Sequence, residues 1–364
     1  MDDARNDTAG KLNRRQLLKS SAVGGTALSL SLATAGSALA SSNRSSSEGG
    51  GRTSGSEGLP TGLEYEIRGG NMAAVVTEEG ATLRSLTVGG QEFLITFAPD
   101  QPSTFYHGQV LLPWSNRVAG GQYVWNGVTQ QLPINEISHN SALHGLVNWM
   151  NWNVVDHDAS SITLSLVLHA RDGYPFVLQF WEKYAITPVG FEVFTTAKNI
   201  GSSAAPYDCG NHPYFTLSQG QRTINEDILR IPCQSYFKVD SNLIIIPPAV
   251  SVEGTQFDFR KPRPIGSTVM DTNFADPIFD ADGYARTILA APDGHPTLTL
   301  FMDRHHKYMQ FYTSDTVPIA SQIRKALVIE AYTGATNCFN NGLGLVVLQP
   351  GESITTHWGV SIKL

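Results

Sequence analysis

The sequence predicts an all-β protein built as one large antiparallel β-sandwich. Three observations carry that reading. Runs that alternate polar and apolar residues with period two recur along the chain. They are rich in Val, Ile, Thr and aromatic residues, and turn residues bound them. No long stretch after residue 59 holds a 3.6-residue repeat. Residues 161–170 (SITLSLVLHA) are the clearest strand. Residues 176–186, 191–200, 297–303, 307–313, 343–348 and 356–364 extend the pattern, whereas 275–280 and 321–327 read as short helices or turns. Alternation leaves one face of each sheet dry, and two such sheets cover each other's apolar faces.

The chain opens with a segment that belongs to no fold. Residues 1–40 read as an export signal, with Arg14 and Arg15 ahead of an apolar, small-residue stretch that ends Ala38-Leu39-Ala40. The paired arginines point to the twin-arginine route. The competing reading, a basic amphipathic helix on a cytoplasmic protein, leaves the small-residue ending unexplained. Residues 41–59 are Ser/Gly-rich and nearly free of apolar side chains, so they are expected to form a disordered tether. Residues 60–364 then form a single domain. No cysteine near the cleavage site offers a lipid anchor, and no later stretch is long and apolar enough to span a bilayer. The mature protein is expected to be soluble and exported, either periplasmic or extracellular.

The net charge is −7. Residues 1–40 hold five basic and three acidic side chains, so the remainder is near −9. It contains no Lys/Arg-rich run, which excludes nucleic acid and anionic lipid as expected partners. Cys209, Cys233 and Cys338 are odd in number and form no CxxC. Cargo of the twin-arginine route folds before export, so the fold is expected not to need a disulfide. One later bridge stays open.

Five segments stand out from the strands. Residues 111–127 set Asn116 and Arg117 between Trp114 and Trp125. A guanidinium fork and flat rings suit a sugar, although a surface arginine beside core tryptophans fits equally simply. His144 precedes Gly145, whose missing side chain could let a ligand approach. His212 lies between Asn211 and Pro213. Asp271 and Asp276 share a fourth segment, and Glu330 follows the apolar triplet 327–329. A carboxylate where a strand passes into a loop can be partly desolvated yet reach a cleft. Each residue alone has an ordinary structural explanation. His305 and His306 are adjacent, which on a strand would point them to opposite faces. No metal-ligand spacing, nucleotide-binding glycine motif or G-x-S-x-G is present.

Taken together and in order, these segments resemble the aldose 1-epimerase (galactose mutarotase-like) family. NRVAGGQYVWNG, NSALHGL, NHPYFTL, MDTNF and VIEAYTGATNCFN, closed by LQPGES, carry the resemblance across residues 60–364, and YMQFYTS resembles a strand that precedes the glutamate. The resemblance implies a β-sandwich of galactose mutarotase type with a sugar cleft and no cofactor or metal. It makes Glu330 the general base and His212 the general acid. It makes Arg117, His144, Asp271 and Asn116 the holders of sugar oxygens. Leu146, Thr216 and Thr272 depart from the family pattern and are expected to shape the pocket.

The chemistry suits those residue types. Opening a hemiacetal ring removes a proton from the C1 hydroxyl and adds one to the ring oxygen, which a carboxylate and an imidazolium can do. The expected partner is a monosaccharide, a hexose or pentose aldose. Two other classes remain: a glycoside hydrolase using Asp271 and Glu330 as its carboxylate pair, and a non-catalytic exported carbohydrate-binding protein.

Overall fold

The structure, a computed structural model, describes residues 58–364. The export signal and nearly all of the tether lie outside the described residues. Strands dominate the rest. Among the described residues the helical elements are one four-residue α-helix, Cys338–Asn341, and three single 3-10 turns. Every ladder between named strands is antiparallel.

Two large sheets organise the fold. A nine-stranded sheet runs from Asn153–His157 through Ser161–Leu168, Leu178–Thr187 and Gly190–Asn199. The last strand, Ser353–Lys363, sits in its middle, between Gly190–Asn199 and Thr297–Met302. A six-stranded sheet places Leu327–Tyr332 beside Tyr308–Tyr312, then Asp271–Pro277. A four-stranded meander from Glu64 to Glu92 adds a further layer.

Alternation explains how the large sheets meet. Ile162, Leu164, Phe180, Tyr184, Val193 and Val360 line one face of the nine-stranded sheet and are fully buried. They join Phe274, Met309, Phe311 and Ile329 of the six-stranded sheet in one apolar core. At about 25 cal/mol per Å2 of apolar area buried, such side chains supply the main driving force for folding. The alternate residues of the six-stranded sheet face the other way. There the register sets Asn273 opposite Gln310 and Gln310 opposite Glu330, a polar row on the face away from the core.

Several local expectations change. Residues 343–348 shrink to the short strand Val346–Leu348. Residues 275–280 begin as the end of strand Asp271–Pro277, whereas 321–327 open inside the 3-10 turn Ala320–Gln322 and continue as a turn, as expected. His305 and His306 occupy a turn, not a strand, and both rings contact the Asp303 carboxylate, at 3.1 and 2.9 Å. All three cysteines are buried and unpaired. Among the described residues no helix is long and apolar enough to cross a membrane.

Candidate active site

The polar row of the six-stranded sheet lies beneath a cleft of about 470 Å3. Asn116, Arg117, His144, His212 and Asp271 all line it. Glu330 lies under them, 2% exposed, inside the strand Leu327–Tyr332 rather than at its end. That strand is buried on both faces, so its sequence shows no alternation that could locate its end. His212 Nε2 stands 3.8 Å from Glu330 Oε2. The Tyr332 hydroxyl donates to the same carboxylate oxygen and accepts from Asn116 Nδ2 at 3.3 Å.

Each side chain is placed by its strand. Arg117 pairs with Leu143, which brings the arginine segment beside His144. His144 has a left-handed backbone (φ 63°), a conformation that costs a non-glycine residue on the order of 1–3 kcal/mol. Its Nδ1–H donates to the Ser115 carbonyl at 2.6 Å, which leaves Nε2 as a free acceptor. Gly145 does not make room for a ligand. A Cβ there would sit 2.0 Å from the Leu112 carbonyl oxygen, so the missing side chain admits backbone.

One buried carboxylate ties the segments together. Asp208 accepts from Ser115 N at 2.8 Å, Ser115 Oγ at 2.5 Å, Thr333 Oγ1 at 2.7 Å and Gly334 N at 2.6 Å. It thereby joins the arginine segment, the stretch leading to His212 and the end of the Glu330 strand. Burial pushes its pKa up, opposed by those four donors.

Burial also sets the charge states. It drives the His144 pKa down to about 3, aided by the Arg117 charge, so the ring is neutral. Burial raises the Glu330 carboxyl well above the ordinary carboxylate range and lowers the His212 imidazole well below the ordinary histidine range. Both shifts act in the same sense, disfavouring the charged form of each partner.

The sequence missed important neighbours. Arg117 Nε and Nη2 donate to the two oxygens of Glu136 at 2.7 and 2.8 Å, and Nη2 lies 3.7 Å from Asp271. The guanidinium fork is thus largely committed to a protein carboxylate. Burial alone would raise Glu136, but Arg117 and His139 hold it below its ordinary range. Asp271 accepts from Gln310 Nε2 at 2.5 Å, whereas Asp276 accepts from Ser235 and does not line the cleft. The tryptophans are also corrected. Trp114 is core, 2% exposed, and Trp125 packs on Phe176. The aromatic walls are instead Phe105, Tyr106, Tyr214 and Tyr312. Leu146, Thr216 and Thr272 do not line the cleft. Thr216 caps a turn by accepting from Gly220 N at 3.0 Å. Among the described residues no group of three His, Cys, Asp or Glu is placed to hold a metal ion.

Residues 64–361 match the family model described as Aldose 1-epimerase. The chain belongs to the aldose 1-epimerase family. It is 30% identical over 294 residues to the Escherichia coli K12 protein YihR, covering 80% of this chain and 91% of YihR. It is 27% identical over 234 residues to mouse galactose mutarotase, covering 58% of this chain and 66% of that protein. The fold is similar to that of the GalM/aldose epimerase homologue from C. elegans, with a TM-score of 0.73 at 18% identity, over 82% of this chain and 98% of that one.

Proposed function

We propose that this aldose 1-epimerase family member interconverts the α and β anomers of a free aldose by general acid–base opening and closing of the ring. One observation carries the reading: a histidine that lines a cleft rimmed by hydrogen-bonding side chains stands 3.8 Å from a buried glutamate behind it. Glu330 takes the proton of the C1 hydroxyl while His212 gives one to the ring oxygen. The C1–O5 bond breaks and a free aldehyde remains. Rotation about C1–C2 presents the other carbonyl face, and closure reverses both transfers.

The proton count suits this cycle. The pair carries one proton throughout, on His212 when the ring is closed and on Glu330 when it is open. Burial disfavours both charges, which works against the first arrangement and for the second. A cyclic sugar must therefore draw the proton back to His212 as it binds. His144 Nε2 and Asp271 accept from sugar hydroxyls; Asn116 and the uncommitted part of the Arg117 guanidinium donate to them. Glu136 holds that guanidinium in place. No cofactor is needed, since the reaction moves protons only.

The test is to dissolve α-D-glucose or α-D-galactose and follow both anomers by proton NMR against an enzyme-free control. The protein is expected to speed the approach to equilibrium without changing the final ratio. A glycoside hydrolase would leave the free sugar alone and release reducing ends from a glycoside. A binding protein would do neither. Either outcome overturns the reading. We also propose export through Arg14, Arg15 and the Ala38-Leu39-Ala40 site. Replacing both arginines by lysine is expected to block it in a fractionation experiment, and unchanged export rejects the route.

A further inference from the structure

The two histidines of the cleft are held in different ways. His144 is fixed through one ring nitrogen, which donates to the Ser115 carbonyl at 2.6 Å. Among the described residues no neighbouring residue bonds to the buried Nδ1 of His212. A histidine that moves protons is ordinarily oriented by a partner on its second ring nitrogen. The His212 backbone is secured, because its N–H donates to the Gln109 carbonyl at 3.1 Å and Gly108 N–H donates to its carbonyl at 2.9 Å. Those bonds leave the side-chain torsions unset. Packing has to set the ring plane.

A stack of rings meets that need. Tyr214 lies against His212 with ring centroids 5.1 Å apart and planes 27° from parallel. His107 packs in turn on Tyr214, at 4.0 Å and 25°. Both supporting rings are anchored. Tyr214 Oη donates to the Phe105 carbonyl at 3.0 Å, and His107 Nδ1–H donates to the Thr104 carbonyl at 2.5 Å. Between those carbonyls and His107, Phe105 and Tyr106 both take the left-handed conformation, with φ 51° and 60°, which side chains rarely adopt. Their side chains line the cleft, whereas His107 does not. Burial lowers the His107 imidazole below the ordinary histidine range, which favours an uncharged ring there.

We infer that Tyr214, supported by His107, is the positioning residue for His212: the stack fixes the imidazole plane from which Nε2 meets Glu330 and the ring oxygen of the sugar. This rests on the anomer-converting reading of the cleft. Proton transfer needs its donor within hydrogen-bond reach and aligned, and a misplacement of about 1 Å can cost about 10²-fold in rate. A flat ring laid against an imidazole restricts its rotation, because aromatic pairs favour particular mutual orientations. An aliphatic side chain of similar volume fills the space without that preference. In this role neither Tyr214 nor His107 moves a proton.

The experiment measures anomer equilibration of glucose and galactose in the wild type, Tyr214→Leu, Tyr214→Phe, His107→Leu and His107→Phe, each checked by circular dichroism. Tyr214→Leu is expected to lower kcat about 10–100-fold, and Tyr214→Phe to restore most of it. His107 does not line the cleft, so His107→Leu is expected to lower kcat about fivefold at an unchanged KM, and His107→Phe to restore it. A kcat held within about twofold in both leucine variants, whatever happens to KM, overturns the role, as does a loss that the phenylalanine variants do not recover. The His212 ring signals in proton NMR, assigned by their absence in His212→Asn, give a readout independent of turnover. In the wild type the ring current of Tyr214 is expected to place them upfield of a free imidazole, and Tyr214→Leu to move them back. Signals at the ordinary position in the wild type overturn the stack, even where a leucine variant does not fold. If no sugar equilibrates faster than the control, the catalytic reading has failed, and this shift alone decides whether Tyr214 sets the ring.

Discussion

Two buried glutamates adjoin the same short segment and differ in what lies before them. Glu182, in the strand Leu178–Thr187, faces the interior and accepts from Asn211 Nδ2 at 3.0 Å. Glu330 faces the cleft floor, where the next residue along, His212, approaches it. Burial raises both carboxyls, that of Glu182 to about 8. The same physics thus pushes two carboxyls in the same direction beside one short segment. In our proposal only Glu330 does chemistry, because only it lies beneath an opening that a sugar can enter. A shifted pKa marks burial; access decides use.

The sharpest way to break this comparison is to remove each acid in turn. Glu330→Gln keeps the size and the acceptor for Tyr332 but cannot move a proton. We expect kcat to fall about 10²–10⁴-fold with the fold retained, read by polarimetry and circular dichroism. The wild-type kcat/KM should be bell-shaped in pH. Its acid limb marks uptake of a second proton by His212, below the ordinary histidine range. Its alkaline limb marks loss of the proton resting on Glu330, above the ordinary carboxylate range. If Glu330→Gln and His212→Asn each kept the wild-type profile and rate, the pair would be removed from the reaction.

Glu182 should answer in stability instead. Its folded pKa is raised, so its contribution is fully present below the unfolded value of about 4.3 and is lost as pH rises through the folded value of about 8. The loss across that window is on the order of 5 kcal/mol. Glu182→Gln, which still accepts from Asn211, should flatten the matching fall in Tm between pH 5 and 8. An unaltered slope would mean that other groups set it.

A smaller effect is expected at Asp208, which ties the segment between the two glutamates to the end of the Glu330 strand. Asp208→Asn replaces one accepting oxygen by an amide that faces donors. The expected cost is about 2–3 kcal/mol in urea unfolding, since buried donors are left unmade. No measurable loss would show that the four bonds are replaceable.

Much of the site was legible because its residues sit in short runs of unusual composition. Arg117, His144, His212, Asp271 and Glu330 each fell within such a run, and the fold brings all five together. Strands such as 161–168 were legible because one face is dry. What stayed hidden is set by contacts distant in sequence. Glu136 is an ordinary acidic residue until strand pairing brings its turn to Arg117. Asp208 is unremarked until Ser115 and Gly334 converge on it from 93 and 126 residues away. The tryptophans misled for the converse reason. Trp114 and Trp125 stood beside the arginine in sequence but pack inward, while Trp149 stood in no motif and faces out.

The central place of the strand Ser353–Lys363 has a consequence for synthesis. It pairs with Gly190–Asn199 on one side and Thr297–Met302 on the other. Until residue 363 leaves the ribosome, the nine-stranded sheet is two half-sheets with facing raw edges and an open seam. Vectorial translation therefore cannot complete this sheet piecemeal. The nascent polypeptide must keep those edges from pairing with other chains until its final strand arrives to close the seam.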